Sequence, residues 1–442
     1  MPDLSRVREI LKSARGTRPA PGPIAPPGAR VDLDAVAARL GGELGENEAG
    51  RYILVRSRYP GERRYGRGSI ADAGADLTDG EAFRVLGGLA RTPPDDGRAL
   101  FIDLETTGLS GGAGTVAFLI GVGFFGGGDF HLNQYVLPSL GAERAVLAAV
   151  DRLVRSSSAL VTFNGKSFDV PVMETRWTMG RMPLPWGELA HVDLLHPARR
   201  LWRRRNCRLT ALEVDVLGVR RDGDVPGSEI PARYIGYLRR GDPMPLCPVL
   251  EHNRLDLVSL AVLTARACRL IAEGPQGDAG AAQQVALGVL YERAGRGSDA
   301  AACYRAAAEG PGADGVRAEA MQWLALRSRR AHQHDLAATW WERVLALPAV
   351  PDRIGREAAE ALAIHHEYRA RDLIRASTFA RRALQNERDP RRRDAVQHRL
   401  ARLDRKRRRG GLGLRMDGGA GFEPRDARPD GSRTGWGARR PV

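Results

Sequence analysis

Lysine is nearly missing from this sequence: of its 68 basic residues only Lys12, Lys166 and Lys406 are lysine, and the rest are arginine. So uneven a ratio fits a nucleotide bias in the coding genome, so the abundance of arginine alone says little about partners. Cysteine is scarce as well. Cys207, Cys247, Cys268 and Cys303 form no C-x-x-C pair, which argues against a zinc ribbon or a disulfide framework. Long apolar runs are lacking too: the longest, Thr115 to Phe125, falls short of the ~20 residues that a spanning helix needs. The opening Met1-Pro2-Asp3-Leu4 has no apolar signal core. A cytoplasmic location with no membrane partner is therefore expected. What remains is an ordinary globular composition, 43% hydrophobic and 27% charged over 442 residues, which excludes global disorder and fits two or three domains.

The formal charge of +15 sits mostly at the ends, with net +4 in residues 1–30, net +7 in 402–442 and only +4 in between. Such ends serve as nucleic-acid-binding arms or as solvated tails. Residues 1–30 and 403–442 are expected to be disordered basic segments, and the Pro/Gly-rich stretch 16–30 reads as a linker. Residues 31–96 form a small region of unknown role, with a short helix from Leu33 to Leu40 and strands near Tyr52–Val55 and Arg64–Ser69. Over 97–275, Ala99–Glu105, Thr115–Phe124 and Asp129–Leu137 read as strands joined by Gly-rich turns. They are followed by helix Ala142–Arg155, strand Ala159–Phe163, a helix from Phe168, strand Leu189–Leu194 and helix Pro248–Ile271. The expected fold is α/β, a mixed five-stranded sheet flanked by helices. Over 281–402 only helices are legible, and they repeat. Gly288, Tyr291, Ala300, Tyr304 and Ala307 follow the small-and-aromatic spacing of a tetratricopeptide unit, echoed by Ala325, Ala337, Trp341 and by Ala376, Ala380, Ala383. An all-α repeat domain of this kind presents a surface to a protein partner.

The chemistry concentrates in three places. In Phe101-Ile102-Asp103-Leu104-Glu105-Thr106 the alternation of a strand turns Asp103 and Glu105 to one face, where two carboxylates repel unless a hard divalent cation lies between them. The run Phe163-Asn164-Gly165-Lys166-Ser167-Phe168-Asp169 joins a strand end to a helix start. It is not a nucleoside-triphosphate loop, because Leu160 stands where the first glycine would be needed. Asp169 instead brings a third carboxylate to the carboxyl end of the sheet. In His252-Asn253-Arg254-Leu255-Asp256 the outer two residues are four apart and share a helix face.

Together these residues resemble the signature motifs of the DEDD 3′–5′ exonucleases, which have a ribonuclease-H-like fold. The ensemble is also similar to bacterial ribonuclease-H-like domain proteins that carry helical repeats behind the nuclease. The resemblance covers about residues 97–272. It implies that Asp103, Glu105, Asp169 and Asp256 hold two divalent cations, Mg²⁺ or Mn²⁺, with Asp103 bridging both. Glu105 and Asp256 then complete one coordination shell and Asp169 supports the other. It further implies hydrolysis of phosphodiester bonds at single-stranded 3′ ends of DNA or RNA. The family divides by the residue that assists the water, a tyrosine four positions before the last aspartate or a histidine five before it. Here His252 stands at four and Glu251 at five, a departure that leaves the base open; His252 is the expected general base, and its alternative is a histidine packed at a helix start.

Nucleic-acid contacts are expected from Thr106, Asn164 and the cluster Trp202, Arg203, Arg204 and Arg205, in a stretch without acids between Leu194 and Leu212. The Gly-rich Ser110–Thr115 is either an approach to a terminal nucleotide or a hairpin turn, and His191-Val192-Asp193 either supports the site or packs in the core. His365-His366 reads as ordinary surface. The functional expectation is a metal-dependent 3′–5′ exonuclease. The rivals are an inactive nucleic-acid-binding adaptor and a structure-specific endonuclease.

Overall fold

The apolar residues of Ala99–Thr106 do not alternate: Leu100, Phe101, Ile102 and Leu104 are all buried, so both faces of this strand are covered. The computed structural model describes residues 32–93, 98–108, 114–187, 189–385 and 387–416, with side chains through residue 409. It divides into two compact units at Leu324/Ala325, later in the chain than the break expected near residues 275–281.

The first unit is built on a mixed sheet of seven strands. These are β1 (Glu43–Asn47), β2 (Gly50–Tyr59), β3 (Ala99–Thr106), β4 (Ala117–Gly126), β5 (Asp129–Val136), β6 (Ala159–Thr162) and β7 (Ala190–Asp193). Their order is β1-β2-β5-β4-β3-β6-β7, antiparallel as far as β3 and parallel across β3-β6-β7. The five-stranded expectation is thus corrected to seven. The added pair comes from residues 43–59, where Tyr52–Val55 are buried against the sheet. The partner of β2 is β5, far along the chain, so local pattern gave the strand without its place. Arg64–Tyr65 and Gly68–Ser69 form a separate two-stranded hairpin. Between β4 and β5 the two-residue turn Gly127-Gly128 has φ of 60° and 86°, values that glycine adopts without strain and a tight hairpin requires.

Helices α1 (Leu33–Arg39), α2 (Ile70–Asp76), α3 (Gly80–Gly87), α4 (Glu143–Arg155), α5 (Asp169–Met179), α6 (Leu195–Leu201), α7 (Leu209–Leu212), α8 (Ile230–Arg240) and α9 (Cys247–Glu273) accompany the sheet. Asp32, Ser69 and Asp79 cap the starts of α1, α2 and α3 with side-chain oxygens that accept backbone N–H groups. Two contacts fix α5 against α4. The buried Arg176 guanidinium donates twice to Glu143, at 2.5 Å each, and the Trp177 indole N–H donates to Asp151 at 3.1 Å. The long α9 lies against β3, β4 and β5. It comes close at Gly121, the residue of β4 paired with Asp103. A Cβ at Gly121 would meet Asn253 Oδ1 at 2.2 Å and Leu257 Cδ1 at 2.7 Å. Any side chain there would push α9 off the sheet.

Beyond α9 the chain is helical: α10 (Ala281–Arg293), α11 (Gly297–Glu309) and α12 (Asp314–Arg330). Tyr291, Ala300, Tyr304 and Ala307 are buried, and Gly288 leaves the space that the Tyr304 ring fills. In the second unit, α13 (His334–Leu345), α14 (Asp352–Tyr368), α15 (Leu373–Leu384) and α16 (Pro390–Met416) follow one another. Here two expectations are corrected. Residues 403–416 are helical, not disordered, and the cause is electrostatic. Arg399, Arg402 and Lys406 lie on one face of α16 and converge on Glu367, whose side chain is fully buried. His366 is not surface but buried, stacked on Phe379. The expected disorder of residues 1–30 and 417–442 lies outside the described residues, as does most of the Gly-rich Ser110–Thr115 stretch.

Gly121→Ala is expected to lower stability by about 1–3 kcal/mol, the usual cost of overpacking a closed contact. The check is the denaturant midpoint at unchanged m-value, and an unmoved midpoint would show slack between α9 and β4.

Candidate active site

Asp103 and Glu105 are two residues apart on β3, so both carboxylates leave the same face. A β-bulge between Glu105 and Thr106 ends the regular pairing there. Asp169 is the first residue of α5, just beyond β6, and Asp256 lies on α9. Asp169 is buried and the other three are partly buried. Their electrostatics show that they share one space. Burial, and then the charges of Asp256, Glu105 and Asp169, push the Asp103 carboxyl well above its ordinary range, against a hydrogen bond from Asn253. Burial followed by the charges of Asp256, Asp169 and Asp224 does the same to Glu105. Burial pushes Asp169 up to about 7, although backbone hydrogen bonds at Asp169 and Leu104 oppose it. Asp256 is raised by burial against the pull of Arg221 and His252.

The residues around these acids orient them. Asn253, fully buried, donates from Nδ2 to Asp103 Oδ2 at 2.8 Å and to the Asp103 carbonyl at 3.2 Å. Its own Oδ1 accepts from Gln134 Nε2 at 2.9 Å, and Gln134 also donates to the Leu250 carbonyl at 2.8 Å. This chain of amides ties β5, α9 and β3 together at the Asp103 carboxylate. Arg221, with 5% of its side chain exposed, donates to Asp256, to Glu213 and, at 3.0 Å, to Asp224. Burial works against its charge, but the bonds to Glu213 and Asp256 prevail and hold the guanidinium above its ordinary range. His252 places Nδ1 2.7 Å from Asp224 Oδ1, while its Nε2 faces Asp256 Oδ2 at 3.6 Å and Glu105 Oε1 at 3.9 Å. Burial raises Asp224, yet His252 and Arg221 outweigh it and keep that carboxyl below its usual range.

Of the expected site residues, the structure brings Asp103, Glu105, Asp169, Asp256 and His252 together. Glu251, the other candidate base, is exposed and paired with Arg254. Thr106 is buried, its hydroxyl donating to the Gly108 carbonyl at 2.8 Å. Asn164 is exposed at φ 67°, and its N–H donates to Asp193 at 2.8 Å. Trp202 is half-buried at the end of α6. Arg203 makes a bidentate pair with Glu319 at 2.8 and 2.9 Å, and Arg204 faces Asp215 at 3.4 Å. The stretch without acids is therefore local only: Glu319 and Asp215 arrive from elsewhere in the fold. Arg205 has no acidic partner among the described residues.

Asp224, Arg221, Glu213, Asn253 and Gln134 were not anticipated. Asp224 and Asp222 look alike in Arg220-Arg221-Asp222-Gly223-Asp224. Asn253, in contrast, stands inside a motif already singled out, where a buried amide facing the same way as Asp256 was open to inference. Among the described residues no group of three or more His, Cys, Asp and Glu side chains is arranged to hold a metal ion. Arg221 takes one oxygen of Asp256 and Asn253 one of Asp103. The donor set is nonetheless all oxygen and short of positive charge, and that chemistry suits a hard divalent cation.

The raised carboxyls set a sign for stability. Each binds its proton more tightly folded than unfolded, so the stability it confers is present at low pH and lost as pH rises through its folded value. His191, lowered to about 4 by burial, acts in the opposite sense, but its contribution is complete above about pH 6.5. In chelator-treated protein the thermal midpoint is expected to fall as pH rises above about 6.5. Asp103→Asn should fall less, and parallel curves for the two proteins would exclude the coupling.

Residues 100–268 match the family model described as RNase_H superfamily. The chain is 37% identical over 216 residues to an uncharacterized protein, YprB, of Bacillus subtilis (strain 168), an alignment covering 48% of this chain and 52% of that protein. The chain thus spans about half the length of the curated relative it matches. No helix among the described residues is long and apolar enough to cross a membrane. The acids lie inside the matched stretch, and residues 100–268 are an RNase_H superfamily domain within the longer chain.

Proposed function

We propose that the chain is a metal-dependent nuclease that hydrolyses phosphodiester bonds, acting as a DEDD-type 3′–5′ exonuclease on single-stranded ends of DNA or RNA. The observation that carries this reading is the convergence of four buried or part-buried carboxylates, in which Asp256, Glu105 and Asp169 raise the proton affinity of Asp103, and Asp256 and Asp169 that of Glu105. Asp103, Glu105, Asp169 and Asp256 would hold the Mg²⁺ or Mn²⁺ ions. When bound, such ions stabilise the negative charge that develops on the phosphodiester oxygens and acidify the attacking water. The protein's own groups do the rest. Asn253 holds the Asp103 carboxylate in one orientation, and Arg221 does so for Asp256. The Asp224 carboxylate accepts a hydrogen bond from the Nδ1–H of His252, which leaves Nε2 as an acceptor facing Glu105 and Asp256. A water between these groups gives its proton to Nε2.

Arg221 on Asp256 also favours a second reading, in which the guanidinium replaces a cation for good and the domain is an inactive nucleic-acid-binding adaptor. Labelled DNA and RNA ends incubated with Mg²⁺, with Mn²⁺ and with chelator separate the two, since only the nuclease shortens the strands. The helices from residue 281 onward fit a tetratricopeptide-like surface for a protein partner, and the cytoplasm is the location consistent with this role.

Asp103→Asn is expected to abolish strand shortening while the protein stays folded, because removing one of several like charges relieves repulsion. Wild-type turnover in that variant would sink the metal-site reading. His252→Gln is expected to slow the reaction by ~10²–10⁴-fold, the usual contribution of a general base. His252→Tyr should recover part of the rate, and an unchanged rate in His252→Gln would show that the imidazole only packs.

A further inference from the structure

The Gly165-Lys166-Ser167 turn has no part in the chemistry above, yet its lysine borders a cavity of about 180 Å³ in the first unit. The cavity lies between this turn, the end of α3 at Gly87-Gly88, and helices α6 and α10. It is lined by Lys166, Arg200, Arg293 and His196, with Asp193 as the one acid among the described lining residues. That acid is already engaged. Its carboxylate accepts the backbone N–H groups of Asn164 at 2.8 Å, Lys166 at 3.1 Å and Leu195 at 3.1 Å. Neither Lys166, Arg200 nor Arg293 has a carboxylate partner among the described residues, in contrast to Arg203 and Arg204. Burial, and then the repulsion of Arg293 and Arg203, lowers the proton affinity of Arg200. This is a cavity short of negative charge.

We propose that this cavity is a phosphate-binding subsite that holds a phosphate group of the nucleic-acid strand away from the bond being cut. The inference rests on the nuclease reading for the identity of the strand, but binding is measurable without cleavage. Phosphate is favoured over a carboxylate ligand by position. Lys166 lies three residues before Asp169, in the turn that Asp193 organises by accepting the backbone N–H groups of Asn164 and Lys166. A strand leaving the acids therefore has this cavity next in reach. Three cations from separate elements, the turn, α6 and α10, grip an anion with several oxygens better than one with two.

The test uses full-length protein in chelator, so that no strand is cut, and follows the affinity of a labelled single strand against salt. Lys166→Gln/Arg293→Gln spares the half-buried Arg200 and is expected to bind more weakly. Its slope of log affinity against log salt should be shallower by about 0.7, the value for one phosphate of a single strand that is no longer neutralised. Arg39→Gln/Arg233→Gln removes the same charge from residues already paired with Asp242 and Glu229, and should keep the wild-type slope. Inorganic phosphate should raise the thermal midpoint of the wild type, but not of the Lys166/Arg293 variant, at matched ionic strength. Strands with and without a 5′-phosphate distinguish the source: a weakening confined to phosphorylated strands assigns the cavity to a terminal phosphate, and an equal weakening to an internal one. An unchanged slope, or an equal weakening in the Arg39/Arg233 control, overturns the proposal. If strands are bound in this way but never shortened with Mg²⁺ or Mn²⁺, the nuclease reading fails and the subsite stands.

Discussion

Mutual repulsion among Asp103, Glu105, Asp169 and Asp256 is the constraint around which the first unit is arranged. Carboxylates that share a partly desolvated space raise one another's energy when ionised, and the surrounding groups offset that cost with donors fixed in place. Asn253 and Arg221 are those donors, and each is anchored at its far side, Asn253 by Gln134 of β5 and Arg221 by Glu213. The close approach at Gly121 lets α9 deliver Asn253 and Asp256 to the strand that carries the other two acids. The pairing of Arg176 with Glu143 sets α5, and with it Asp169. The site depends on four elements meeting, none of which could form it alone.

This explains which parts were legible in the sequence. Asp103 with Glu105, and His252 with Asp256, are near neighbours whose shared face follows from the period of a strand or a helix, so spacing alone placed them. The strands of residues 99–137 were visible for the same reason. Strands β1 and β2 were not assigned to the sheet, because their place depends on β5. Asp224 and Arg221 reach the acids from a loop, where no period marks a direction. The arginines of 203–204 show the same limit from the other side. A window without acids suggested free cations, but Glu319 and Asp215 come from outside it. Lys166, in a turn whose spacing is wrong for a nucleoside-triphosphate loop, borders the cationic cavity through a meeting with α6 and α10 that no local motif encodes.

The second unit shows how a single buried charge can organise a very basic segment. Helix α16 is rich in arginine, and self-repulsion alone would favour an extended chain. Glu367, with no exposed side-chain surface, gathers Arg399, Arg402 and Lys406 on one face. Its carboxyl stays ionised, at about 2, because bonds from Arg402 and Lys406 outweigh the burial that would raise it. The other arginines of this helix up to Arg409 are exposed.

The clasp of Arg221 on Asp256 has a consequence for how the resting centre can be opened. A guanidinium keeps its charge across the whole accessible pH range, and three carboxylates reinforce this one. Unlike a lysine, it cannot be switched off by losing a proton. Freeing the second oxygen of Asp256 requires either a stronger competing cation or a shift of the backbone between Glu213 and Asp224. The centre thus has an ionic lock whose key is charge density, and raising the pH cannot turn it.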